Sequence, residues 1–163
     1  MKYCSFLLLM IALSTAAFAD KSPANGPLAA DKNKQITTLE VIRKLQSRHY
    51  EKRAIDDAMS KSFLENYLDA LDNGRQVFLQ SDVERFTKQY ATQLDDAIKR
   101  GDTAPGFAIF NVFHSKHIAL LEKFIAKMPE NIKQFDYSKN ETTLIDRSKA
   151  AWPKNAAEVD DIW

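Results

Sequence analysis

The chain has 163 residues, 23 Lys and Arg against 22 Asp and Glu, 45% hydrophobic residues and a single cysteine. That length suits one domain with a core of its own, and a formal net charge of +1 removes the electrostatic case for a nucleic-acid partner. Four glycines and five prolines exclude collagen-like and low-complexity chains and fit poorly with a turn-rich β-sandwich. An all-α globular domain is expected.

Residues 1–19 read as a signal peptide. Lys2 precedes an apolar run from Phe6 to Leu13, small residues follow, and Ala17-Phe18-Ala19 forms an A-x-A site before Asp20. The run is too short for a membrane span of about 20 residues. Cleavage after Ala19 would balance the charges by removing Lys2. It would also remove Cys4, leaving no disulfide, thiol nucleophile or thiolate ligand. Cys4 precedes the apolar run, whereas a lipidated cysteine follows one. With no second long apolar run, no membrane span is expected after cleavage, and the periplasm is the expected location.

Residues 20–34 are polar, with two prolines and a glycine, and are expected to form a flexible leader. Residues 35–163 carry the helical domain. Thr37 and Glu40 have capping-box spacing, and Leu39, Ile42 and Leu45 then predict a first helix to about Tyr50. Met59, Phe63, Leu64, Tyr67, Leu68 and Leu71 predict a second, which Asp72-Asn73-Gly74 ends as a turn. Ser81 and Glu84 have capping-box spacing ahead of a third, with Val83, Phe86, Tyr90, Leu94 and Ile98 on one face and Gly101 as its stop. Asp102 or Thr103 caps a fourth, with Pro105 in its first turn. Its apolar face holds Phe107, Phe110, Phe113, Leu121, Phe124, Ile125 and Met128, and Pro129 is expected to end it.

From 130 to 154 the pattern weakens to an irregular arm, with Phe135, Tyr137, Leu144, Ile145 and Trp152 as scattered anchors. Asn155 and Glu158 then open a short last helix. Helices under about 12 residues are marginal alone. Val159, Ile162 and Trp163, at i, i+3 and i+4, therefore need a surface to pack on, either the body or more chain. The expectation is about four amphipathic helices, the arm and this last helix, with fast amide exchange over 155–163 unless further domains are present.

Little in this chain suggests catalysis. His114 and His117, at i, i+3, could share a face toward a metal, but no third ligand stands at a convincing spacing. Residues 69–80 imitate a calcium loop, with Gly74 at its sixth place, yet Leu71 and Gln80 occupy ligand places. The pairs Asp56-Asp57, Asp95-Asp96 and Asp160-Asp161 are sequential, so on a helix their carboxylates diverge by about 100°. There is no G-x-S-x-G and no glycine after Gly106 on which to build an oxyanion turn. No catalytic, cofactor-binding or metal-binding residue is assigned, and no cofactor is expected.

Two stretches carry a resemblance. The first is His49 and Tyr50 with Asp56, Asp57, Ser60, Phe63, Tyr67, Leu68, Leu71, Asp72, and then Val77 through Asp82. The second is Phe107-Ala108-Ile109-Phe110-Asn111, joined by Asp146, Arg147, Trp152, Pro153, Lys154, Glu158, Asp161 and Trp163. Together, over residues 37–163, they resemble the N-terminal domain of the bacterial tail-specific protease, the periplasmic C-terminal-processing peptidase. Asn73-Gly74 departs from that family, which tends to carry Pro-Asn at this turn. Family members also continue into a PDZ domain and a protease domain with a Ser nucleophile and a Lys base, neither of which lies within these residues.

The resemblance implies a non-catalytic scaffold or docking domain in a truncated or partial chain. The implied partners are the PDZ and catalytic domains and a periplasmic lipoprotein adaptor. It also makes Phe63, Tyr67, Phe78, Phe110, Trp152 and Trp163 fold determinants rather than a binding site. A free-standing periplasmic helical interaction or adaptor protein is the alternative. A metal enzyme built on His114 and His117 is a third reading, and it lacks a ligand set.

Overall fold

Asp56 starts the segment around which the other helices gather. Its carboxylate accepts the Met59 N–H at 3.0 Å, which caps a helix whose Ser60, Leu64 and Leu68 recur every fourth residue and are buried. The computed structural model describes residues 26–51, 53–136, 138–140 and 142–163. The signal segment, Cys4, the start of the leader and Tyr137 lie outside the described residues.

Six α-helices are found there, and no strand: α1 (Lys32–Arg48), α2 (Asp57–Leu71), α3 (Gln80–Tyr90), α4 (Leu94–Lys99), α5 (Ala104–Gln134) and α6 (Ala156–Ile162). None is long and apolar enough to cross a membrane. The fold is all-α, as the composition and periodicity indicate. Its core holds Leu64 and Leu68 of α2, Phe78, Phe86 of α3 and Ile109 of α5. Phe78 is fully buried, and Phe86, Phe113 and Trp152 surround it at ring centroid distances of 5.7, 5.7 and 6.2 Å.

Several helix limits differ from the sequence expectation. α1 begins at Lys32, not near Thr37, because Asp31 caps it by accepting the Lys34 N–H at 2.9 Å. The Thr37 hydroxyl is therefore not a cap, and the end of the 20–34 leader is helical. α3 begins at Gln80, and the Asp82 carboxylate, not Glu84, reaches back to the Leu79 N–H at 3.0 Å. The predicted third helix is two helices. The chain turns at 91–93, where the buried Ser60 hydroxyl accepts the Leu94 N–H at 2.9 Å. A side chain from α2 thus replaces the helical partner that a continuous helix would supply. Lys99 and Gly101 do end α4, with Gly101 at φ 74°. A Cβ there would lie 2.9 Å from Leu39 Cγ and 3.1 Å from the Gln35 carbonyl, so glycine lets α1 cross close by.

Pro129 does not end α5, which continues to Gln134. Proline deprives the Ile125 carbonyl of its helical donor, but both residues are exposed and water can serve that carbonyl. The buried residue of α5 is Ile109, not the neighbouring Phe110, which is only partly buried. Of the expected arm anchors, Leu144 and Ile145 are exposed at 59% and 94%, and Phe135 is exposed as well. Among the described anchors, Trp152 alone enters the core margin. Polar contacts hold the arm instead. Arg147 Nε donates to the Gly74 carbonyl at 3.0 Å, Arg75 to the Ala150 carbonyl, and the Gln80 N–H to the Pro153 carbonyl at 2.8 Å.

The surface that α6 needs is the body itself. Val159 is buried, Trp163 Nε1 donates to the Gln76 carbonyl at 2.8 Å, and the indole lies against Phe124 and His117. Lys123 forms an ion pair with Asp160. These contacts run against the expectation of fast exchange over 155–163.

Candidate functional site: an apolar groove and an exposed helical stripe

Among the described residues, two apolar surfaces that use α5 stand clear of the core. The first is a groove of about 670 Å³ where α2, α4 and the start of α5 meet, lined among others by Phe63, Tyr67, Leu94, Ile98, Phe107 and Phe110. Tyr67 donates its hydroxyl to the Gly106 carbonyl at 3.1 Å. Partial burial raises its pKa. The turn into α5 is fixed by Asp102, whose carboxylate accepts the Ala104 N–H at 2.9 Å. Thr103 lines the groove, and its buried hydroxyl oxygen has no hydrogen-bond partner. The Lys34 ammonium sits 4.9 Å from the Phe107 ring centre at the rim. Across the rim runs the segment before α1. The Leu28 N–H donates to Asn111 Oδ1, and Asn111 Nδ2 donates to the Leu28 carbonyl, both at 2.8 Å.

The second surface is a stripe along the distal half of α5. Ile118, Leu121, Ile125, Met128 and Ile132 alternate in spacing by three and four and are between 36% and 63% exposed. That spacing aligns them on one helical face. The helix reaches past the core because its 31 residues span about 46 Å at 1.5 Å per residue. Large contiguous apolar surfaces of this kind mark interaction sites.

The structure gives the residues weighed for chemistry other work. The exposed His114 stacks on Phe110 at 5.8 Å, and His117 lies between Phe113 and Trp163 at 5.2 and 5.9 Å. Among the described residues, no three His, Cys, Asp or Glu converge as metal ligands. In the calcium-like loop the buried Asp72 turns inward. Its two oxygens accept the Gln76, Val77 and Phe78 N–H groups at 3.0, 2.9 and 2.8 Å. The positive φ of this turn falls on Arg75, at 48°, not on Gly74.

The Asp56-Asp57 and Asp160-Asp161 pairs part as their spacing requires, whereas Asp95 and Asp96 both reach the Lys99 ammonium, at 2.8 and 3.6 Å. Asp56 caps α2 while Asp57 opens it. Asp95 is buried and paired with Lys99 at 2.8 Å, while Asp96 is exposed. Asp160 pairs with Lys123, and Asp161 is exposed. The Lys99 ammonium holds the Asp95 carboxyl below its usual range against the opposing effect of burial, and Lys99 is raised in turn.

The sequence reading missed the groove, the Asn111–Leu28 pairing and the roles of Ser60 and Asp72. A signal existed for Ser60, which shares the four-residue spacing of Leu64 and Leu68. None existed for the groove, because its walls come from segments distant in sequence.

The sequence model of the tail specific protease N-terminal domain family matches residues 41–163. The chain is also similar to a tail-specific protease of Haemophilus influenzae, 29% identical over 135 residues. The match covers 83% of this chain and 19% of that relative, so the chain spans about a fifth of the relative's length.

Proposed function

Because the chain belongs to the tail-specific protease N-terminal domain family, we propose that it is a non-catalytic helical scaffold that docks onto the PDZ and catalytic parts of such a protease. The observation that carries this reading is the exposed stripe of Ile118, Leu121, Ile125, Met128 and Ile132. A helix face this apolar is stabilised by burial, at about 1.5–3 kcal/mol for each large side chain fully covered. A periplasmic lipoprotein adaptor is a further partner under the same reading. The signal pattern ending at Ala17-Phe18-Ala19 supports export to the periplasm with cleavage after Ala19. Peptide-bond hydrolysis is not assigned to these residues, since they contain no Ser–Lys pairing with a glycine-built oxyanion turn.

Gel filtration tests the proposal. Mixed with a tail-specific protease lacking its own N-terminal domain, the chain is expected to form a complex, and Ile125→Glu to abolish it without loss of helical circular dichroism. Absence of a complex with the unmodified chain overturns the docking role. Peptide hydrolysis by the isolated chain, surviving repurification from a protease-deficient host, overturns the non-catalytic one.

A further inference from the structure

We infer that the groove between α2, α4 and α5 is a peptide site for an extended apolar segment of a partner protein, with the chain's own residues 26–30 at its rim as a displaceable occupant. This does not depend on the docking role of the α5 stripe.

Asn111 carries the argument. Its carboxamide pairs with both the N–H and the carbonyl of Leu28 at 2.8 Å. Paired N–H and C=O contacts to a single residue are how one extended strand holds another, and how many peptide sites grip a backbone whatever its side chains. Such a clamp reads main chain, so it can accept another segment in place of this one. The clamped residue, Leu28, is itself one of the groove's walls.

The own segment fills this site poorly. Leu28 remains 50% exposed, and about 670 Å³ stays open beside it, a volume in the range of ligand pockets, about 300–1,000 Å³. A cation at the rim can also engage an occupant. The Lys34 ammonium is only 4.0 Å from Asp31, an exposed pairing, and can meet an acidic residue flanking the apolar segment. The chemistry defines the partner: extended backbone, large aliphatic side chains, and an acidic residue nearby.

A fluorescent peptide with the sequence of residues 26–31, acetylated and amidated, tests this by anisotropy against the full chain. The tether gives the resident segment a high effective concentration, so Leu28→Ser in the protein is expected to tighten peptide binding by about tenfold. Binding should shift the methyl NMR signals of Leu94, Ile98 and Ile109. Adding Asn111→Leu to Leu28→Ser should weaken binding by about tenfold or more, which corresponds to at least about 1.4 kcal/mol. If that variant does not fold, Asn111→Asp, which keeps the acceptor and loses the donor, must weaken binding. A control peptide with Asp in place of its Leu should bind weakly to every form. No binding to Leu28→Ser at millimolar peptide, binding indifferent to Asn111, or equal binding of the control peptide would each overturn the inference.

Discussion

The Ser60 hydroxyl of α2 accepts the Leu94 N–H at 2.9 Å, and that one contact sits where the predicted third helix divides into α3 and α4. Ser60 is completely buried, and its oxygen also lies 3.4 Å from the Asp95 N–H. Substituting Ser60→Ala leaves the Leu94 donor without its acceptor in the core. The expected loss is about 1–3 kcal/mol, read as a lower urea midpoint with an unchanged m-value.

Asp72 does for the loop before α3 what Ser60 does for the break after it. Three backbone donors converge on its carboxylate, and the loop they shape delivers Phe78 to the core. Asp72→Asn turns one acceptor oxygen into a donor facing a donor. It should cost about 1.5–3 kcal/mol, the value of a hydrogen bond to a charged group. Asp72→Ala should cost more, because all three N–H groups lose their acceptor. Chemical denaturation of both variants checks the order.

Phe78 and Phe110 separate core from groove. Phe78→Ala empties a fully enclosed site and should destabilise by about 3–5 kcal/mol. Phe110→Ala removes a partly exposed ring and should cost only about 0.8–1.5 kcal/mol, roughly half the value of full burial. Equal losses would mean that Phe110 is more deeply buried than its position in the groove wall indicates.

The Asp95–Lys99 pair sets an acid limit. Asp95 is depressed in the folded chain by its hydrogen bond from Lys99. Its contribution to stability is therefore fully present above the unfolded carboxylate value of about 3.9 and is lost as pH falls through the lower folded value. Lys99 is raised, so its contribution holds below about 10.4 and fades as pH rises through the higher folded value. Asp95→Asn is expected to flatten the loss of unfolding free energy below about pH 5, measured by denaturation at stepped pH.

Local signals made most of the helical architecture legible. The four-residue spacing on α2, the Asn155–Glu158 opening of α6 and the glycine stop of α4 each act within one or two turns of chain, where sequence spacing is spatial spacing. The errors arose where a distant group overrode the local pattern. The apolar series from Val83 to Ile98 is continuous in periodicity, and only Ser60, some 30 residues earlier, interrupts it. Pro129 reads as a helix end because proline lacks an N–H, but solvent at that position lowers the cost of continuing. The groove depends on segments as far apart as Leu28 and Asn111, a separation of 83 residues, and no short-range pattern reports it.

The most direct measurement of the docking role is oxidative footprinting of Met128, a thioether 45% exposed in the middle of the α5 stripe. The chain would be labelled alone and then mixed with a tail-specific protease lacking its N-terminal domain. If the stripe is the docking face, sulfoxide formation at Met128 falls several-fold in the mixture while that at Met59, on α2, is unchanged. A complex that forms and leaves Met128 as reactive as in the isolated chain would contradict it.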